Sequence, residues 1–164
     1  VVVVEVARSR PADRPAVEAF LDGHGSLRVA RRGELVRPLD HPAFLARRGD
    51  DLLGVATYVI NGGECELLTL HARRRFEGTG TALVAAVEDA ARQRGCTRLW
   101  LVTTNDNVDA LRFYQRRGFV LTELRPGAVT RSRQALKPEI PVTGAHGIEL
   151  RDELELAMDL GPGD

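Results

Sequence analysis

The chain has 164 residues, 43% of them hydrophobic and 28% charged, with 23 basic and 23 acidic side chains and so no net charge. That length fits one domain with a substantial core, and the charge balance removes any global pull toward nucleic acid or membrane. The opening Val1-Val2-Val3-Val4 is too short to span a bilayer and lacks the basic flank of a secretory signal, so a cytoplasmic protein is expected.

Val1 to Ala7 is β-branched and reads as a first strand. Pro11 to His24 reads as a helix, with Val17, Phe20 and Leu21 on one face and Gly23 and Gly25 ending it. Ser26 to His41 carries scattered apolar residues, and a short strand or a helix with a loop fits it equally. Phe44 to Arg47 and Leu52 to Ile60 read as a hairpin around Arg48-Gly49-Asp50-Asp51. Asn61-Gly62-Gly63 is a second tight turn, which sets Glu64 to His71 antiparallel to the strand before it. Gly80 to Arg94 is a helix with an apolar stripe of Ala82, Leu83, Ala86, Val87, Ala90 and Ala91.

Thr97 to Thr103 is the next strand, and a strand, helix and strand within about 40 residues imply a parallel right-handed crossover. Asn107 to Arg117 is a short helix capped by Asp106 or Asn107 and ended by Gly118. Phe119 to Leu124 is a strand, 127–136 fits a helical excursion, and 138–147 is loop. Ile148 to Leu160 alternates Ile148, Leu150, Leu154, Leu156, Met158 and Leu160, which predicts a long final strand with one buried face. The sum is an α/β (α+β) chain: a mixed, mostly antiparallel sheet of about seven strands flanked by helices, with one parallel β-α-β crossover.

Two stretches carry chemistry. Leu67 to Leu70 leads into Arg73-Arg74-Arg75, then Gly78, Gly80 and at once a helix. A glycine turn before a helix N-terminus offers unpaired backbone N–H groups and partial positive charge to an anion. A phosphate-binding loop of the Walker type needs a Lys-Ser or Lys-Thr after its second glycine. Here Thr81 follows Gly80, and the one lysine is Lys137. A dinucleotide fingerprint needs a third glycine where Leu83 stands. Taken alone, the stretch is also compatible with an ordinary strand-to-helix turn. In the second stretch, Asn105 to Phe119, helical spacing puts Val108, Leu111 and Tyr114 on one face with Ala110 and Phe113 beside it. A tyrosine there can donate a proton.

Together the two stretches resemble the GNAT N-acetyltransferases. Arg75-x-x-Gly78-x-Gly80 is similar to that family's motif A. Asn107-x-x-Ala110-x-x-Phe113-Tyr114-x-x-x-Gly118-Phe119 is similar to its motif B, in the expected order and place. The resemblance implies one GNAT domain over residues 1–164. Residues 1–43 would lie on the acceptor side, 44–119 would form the core hairpin and acetyl-CoA motifs, and 120–160 the C-terminal strands. It also implies transfer of an acetyl group from acetyl-CoA to a primary amine.

Carried over residue by residue, Arg75, Phe76, Glu77, Gly78, Thr79, Gly80 and Thr81 would hold the pyrophosphate of coenzyme A, mostly through backbone N–H groups. Phe76 departs from the family, where glycine is common. Leu68 and Leu70 would pair through their backbone with the pantetheine arm like an added strand. Asn107 would contact the cosubstrate near its pantetheine end, and Tyr114 would act as general acid on the departing thiolate. Glu64 and Glu66 share a strand face, and Glu66 is the candidate base; both are also compatible with exposed or ion-paired roles. His71 reads as structural. No Cys/His spacing fits zinc, and no metal is expected. Cys65 and Cys96 read as buried free thiols of a reducing compartment, so direct attack in a ternary complex is favoured over an acyl-enzyme. A catalytically silent acyl-CoA-binding module is the alternative. The expected partner is an amine-bearing acceptor, not nucleic acid or membrane, for a monomer or homodimer.

Overall fold

The computed structural model describes residues 4–73 and 78–162. Seven strands belong to one mixed sheet, mostly antiparallel with one parallel pair, and two short strands make a separate ladder. The described residues group into two compact units. One runs up to Arg28, resumes for Arg37–Leu99 and ends with the tail from Leu160; the other takes Val29–Val36 and Trp100–Asp159.

In the first unit, β1 (Glu5–Arg8), β4 (Ala43–Arg48), β5 (Asp51–Asn61) and β6 (Glu64–Ala72) lie side by side in that order, all antiparallel. The predicted helix at Pro11 opens as a 3₁₀ turn, Pro11–Asp13, and continues as α1 (Arg14–Gly23). Proline suits both starts, because the first turn needs no N–H donor. Val17, Phe20 and Leu21 of α1 pack on Ala43, Leu45, Leu52 and Val55. α2 (Thr79–Gln93) covers the other sheet face, because neighbouring strand residues point opposite ways. Gly54, next to Val55, faces α2. A Cβ there would lie 2.9 Å from both Leu83 Cδ1 and Thr79 Cγ2, so only glycine lets the first turns of α2 approach β5 this closely. The α2 stripe differs slightly from the predicted one: Thr79 and Val84 are buried, while Ala82 and Ala86 are half-buried.

In the second unit, β7 (Arg98–Thr104) continues from the first and neighbours β9 (Glu153–Asp159), which pairs antiparallel with β8 (Val120–Arg125). The unit also holds α3 (Val108–Arg116), α4 (Ala128–Ala135) and the ladder of β2 (Val29–Arg31) with β3 (Glu34–Val36). The segment that fitted either a strand or a helix is thus mainly a hairpin, followed by a 3₁₀ turn at Pro38–Asp40.

The last strand starts at Glu153, not Ile148, and its leucine face is not the only buried one. Glu153 and Glu155 are buried at 2% and 3% exposure, as is Ala157. Arginines explain it. Glu153 Oε1 accepts from the Arg32 backbone N–H (3.2 Å) and from Arg125 Nε (3.1 Å). Glu155 Oε1 accepts from Arg32 Nε (2.9 Å) and Nη2 (2.6 Å) and from Arg125 Nη1 (3.3 Å). Burial of these carboxylates is tolerable because each is paired and hydrogen-bonded. In α3, Tyr114 is the buried residue; Leu111 is half-buried and Val108 is exposed.

Candidate active site

The N-terminus of α2 has the features of an anion site. Gly78 is its N-cap with φ of 75°, the left-handed region that glycine enters without cost. Gly78 has no side chain with which to cap this end, and no acidic residue stands in the first turn. At this turn the Ala82 N–H donates to the Gly78 carbonyl at 3.0 Å. Positions 79–81 therefore precede the regular helix ladder. Among the described residues nothing lies within 4 Å of a Cβ built on Gly78. Thr79 turns its side chain inward and is 2% exposed, so only its backbone can serve a ligand. Gly80 is half-buried and Thr81 exposed. Arg75, Phe76 and Glu77 lie outside the described residues.

On β6, Leu68 sits at a β-bulge. Thr57 pairs with Thr69 and the next residue, Tyr58, with Leu67, which leaves Leu68 as the extra residue. A bulge re-aims the backbone and commonly borders a site. Leu70 pairs with Ala56 and is half-buried. Thr57 and Thr69 share a hydroxyl–hydroxyl hydrogen bond of 2.6 Å that satisfies both buried side chains. Of the two glutamates on this strand, Glu64 is ion-paired with Arg98 at 3.6 Å, whereas Glu66 is buried at 4% exposure.

At the end of β6, His71 joins a cluster the sequence did not reveal. Its Nε2 lies 2.7 Å from Ser26 Oγ, and the His24 ring stacks on it at 4.5 Å. Burial, and next the charge of His24, push the His71 pKa down to about 4, so the ring is neutral near pH 7. Ser26 is 45 residues away in sequence, and no local pattern could have paired them.

Both cysteines are free and buried, as expected. Burial raises the Cys65 thiol to about 12, with Cys96 and Glu66 adding to the rise; burial also raises Cys96. A thiol held that high supplies almost no thiolate near pH 7 and is a poor nucleophile.

In the second unit, Asn107 is the N-cap of α3, its Oδ1 accepting from the Ala110 N–H at 3.2 Å. That bond leaves the amide NH₂ as a donor. The preceding turn is pinned by Asp106, which accepts from Thr104 Oγ1 (2.5 Å) and the Ala145 N–H (2.8 Å). Seven residues past the cap, Tyr114 is 8% exposed between Phe113 and Phe119, both edge-to-face at 5.1 and 5.4 Å. Among the described residues no hydrogen bond ends on its hydroxyl. Burial raises its pKa well above the ordinary tyrosine value, and Arg117 opposes the rise only in part. The phenol therefore stays protonated, which is the form an acid needs.

No helix among the described residues is long and apolar enough to cross a membrane. The profile of the acetyltransferase (GNAT) family matches residues 8–119. The uncharacterized protein YdhI of Bacillus subtilis (strain 168) is 44% identical over 104 residues, 63% of this chain and 64% of YdhI, so the chain spans just under two thirds of that relative. Streptothricin acetyltransferase of Streptomyces lavendulae is 32% identical over 143 residues, 82% of this chain and 75% of that protein. Among solved structures, the IAA acetyltransferase from Bacillus cereus ATCC 14579 superposes with a TM-score of 0.71 at 18% identity, covering 96% of this chain and 99% of that one. A Bacillus subtilis acetyltransferase in complex with CoA gives 0.66 at 17%, covering 95% and 97%. The chain belongs to the GNAT family of acetyltransferases.

Proposed function

We propose that the chain transfers an acetyl group from acetyl-CoA to a primary amine by direct attack within a ternary complex. The observation that carries this reading is the start of α2, with Gly78 as N-cap in a left-handed conformation, no described residue within 4 Å of a Cβ built there and no acid in the first turn. Those features fit a pyrophosphate, which gains from the helix dipole and from backbone donors at a glycine turn. The relative solved with CoA bound is consistent with the same ligand here.

In this reading the N–H groups of Gly78, Thr79, Gly80 and Thr81 hold the diphosphate, with Arg75, Phe76 and Glu77 completing the turn. The backbone at Leu68 and Leu70 takes the pantetheine arm, aided by the bulge, and the Asn107 amide donates to it. The acceptor must first lose a proton, because an ammonium cannot attack, and Glu66 or a water it orients takes that proton. The amine nitrogen then bonds to the acetyl carbon, the carbon–sulfur bond breaks, and Tyr114 gives its proton to the departing thiolate. The high pKa of both cysteines favours direct attack over an acyl-enzyme.

The test is release of free thiol from acetyl-CoA across a panel of primary amines. Streptothricin belongs in it because of the relative that bears its name. Release that depends on an amine, with the N-acetyl product seen by mass spectrometry, is the expected result. Binding of acetyl-CoA without release to any amine would favour a catalytically silent acyl-CoA-binding module instead.

A further inference from the structure

β8 (Val120–Arg125) is an edge strand of the seven-stranded sheet. β9 pairs with one of its sides, and no strand among the described residues pairs with the other. Its outer row of backbone N–H and C=O groups is a template for another strand, and proteins usually guard such a row with charge, proline or shortness. The other edge strand, β1, follows that practice: it has four residues, and Glu5 and Arg8 are exposed. β8 has six residues, and three of them are large, apolar and exposed: Val120 at 64%, Leu121 at 44% and Leu124 at 57%. A lone exposed leucine is ordinary, but apolar side chains gathered along an open edge mark a contact surface.

The pairing with β9 shows how these side chains are sorted. Leu121 pairs with Leu156 and Leu124 with Leu154, two positions apart on β9, so both leucines lie on one face. They share it although three apart, because Thr122 is an extra residue: Leu121 and Glu123 pair with the consecutive Leu156 and Glu155. Thr122 Oγ1 donates to the Glu155 carbonyl at 3.3 Å, which holds this bulge. Val120, Glu123 and Arg125 pair with Ala157, Glu155 and Glu153 and take the other face. Arg125 Nη1 donates to Glu123 at 2.9 Å, so the strand presents one acid and one base and no net charge.

We propose that this edge is covered by β8 of a second copy of the chain, antiparallel, about a twofold axis between Thr122 and Glu123. The register sets Leu121 opposite Leu124 of the second copy, and Leu124 opposite its Leu121, on matching faces. Val120 then meets the stem of Arg125 of the second copy, which covers the most exposed side chain of the strand. Charge agrees as well. On that polar face Arg125 of the second copy stands diagonally across from Glu123, within reach of a long side chain. Other registers fit worse. A shift of one residue sets each leucine against a residue of the opposite face. Pairing Leu121 or Leu124 with itself leaves the other leucine opposite Gly118 or Gly127, both outside the strand. The proposed pairing also stops before Pro126, which has no N–H to give. A contact that uses the same surface on both copies closes at two.

The experiment is sedimentation equilibrium of the full chain from about 1 to 300 µM, the range in which a small edge-to-edge interface dissociates. A monomer–dimer equilibrium is expected. Leu124→Lys puts a charge among the leucines, and Val120→Lys puts one against Arg125 of the second copy. Each should raise the dissociation constant at least about tenfold. Both side chains are exposed, so both variants should fold, which their melting curves check. Cysteine pairing reads the register. A mixture of Leu121→Cys and Leu124→Cys should cross-link under mild oxidation, and each variant alone should not, because equal positions stand roughly 10 Å apart across the axis. Cys65 and Cys96 are buried and do not compete. Monomer mass over the whole range, a dimer unchanged in both lysine variants, or Leu124→Cys alone cross-linking as fast as the mixture would each overturn the proposal. The first of these results would leave the edge to a strand of another protein. The acetyltransferase reading stands or falls separately.

Discussion

Replacing Gly78 with aspartate is expected to lower affinity for acetyl-CoA by at least about a hundredfold, a loss of roughly 3 kcal/mol. The fold should survive. Aspartate tolerates the left-handed region better than most residues, and among the described residues nothing lies within 4 Å of the added Cβ. The left-handed backbone at this position strains any side chain, so the unliganded protein should melt somewhat lower while still folding. The aspartate carboxylate would occupy the helix end and repel the diphosphate. Calorimetric titration of acetyl-CoA into both proteins reads the effect. Equal affinities would mean that the diphosphate binds elsewhere.

Removing one oxygen at Tyr114 has the second large expected effect. Tyr114→Phe should lower kcat about a hundredfold or more, the usual contribution of a positioned general acid, while the KM for acetyl-CoA changes less than about threefold. The ring keeps its contacts with Phe113 and Phe119, and no hydrogen bond among the described residues is lost with the hydroxyl. Turnover equal to that of the parent would remove the acid role and leave Tyr114 as a core residue. A proportional fall in kcat and folded fraction would point to packing alone.

The elements that the sequence made legible are those whose signals are local. Glycines mark both ends of α2, Asn61-Gly62-Gly63 closes the β5–β6 hairpin, and Asn107 caps α3 as its spacing suggested. What stayed hidden depends on residues far apart in the chain. The β2–β3 hairpin has strands of three residues and a turn led by Arg32, which is not a usual left-handed residue. Its partners, Glu153 and Glu155, lie more than 120 positions away. The same pairing explains why the last strand was misread: alternation picked the leucines, but paired glutamates can be buried too. The bulge at Leu68 and the contact of Ser26 with His71 likewise need the fold, since both depend on which residues oppose each other. For the candidate site, the helix start and Tyr114 were readable as motif positions. The clearance around Gly78 among the described residues and the burial of Glu66 were not.

The claim on which the rest depends is that the start of α2 binds coenzyme A. A thermal melt of the parent protein with and without saturating acetyl-CoA tests it most directly. At a hundred times the dissociation constant, binding to the folded state alone stabilises by about 2.7 kcal/mol, which for a chain of this size raises the melting temperature by roughly 5–10 °C. A rise of that order is the predicted result, and an unchanged melting temperature at saturating acetyl-CoA would contradict it.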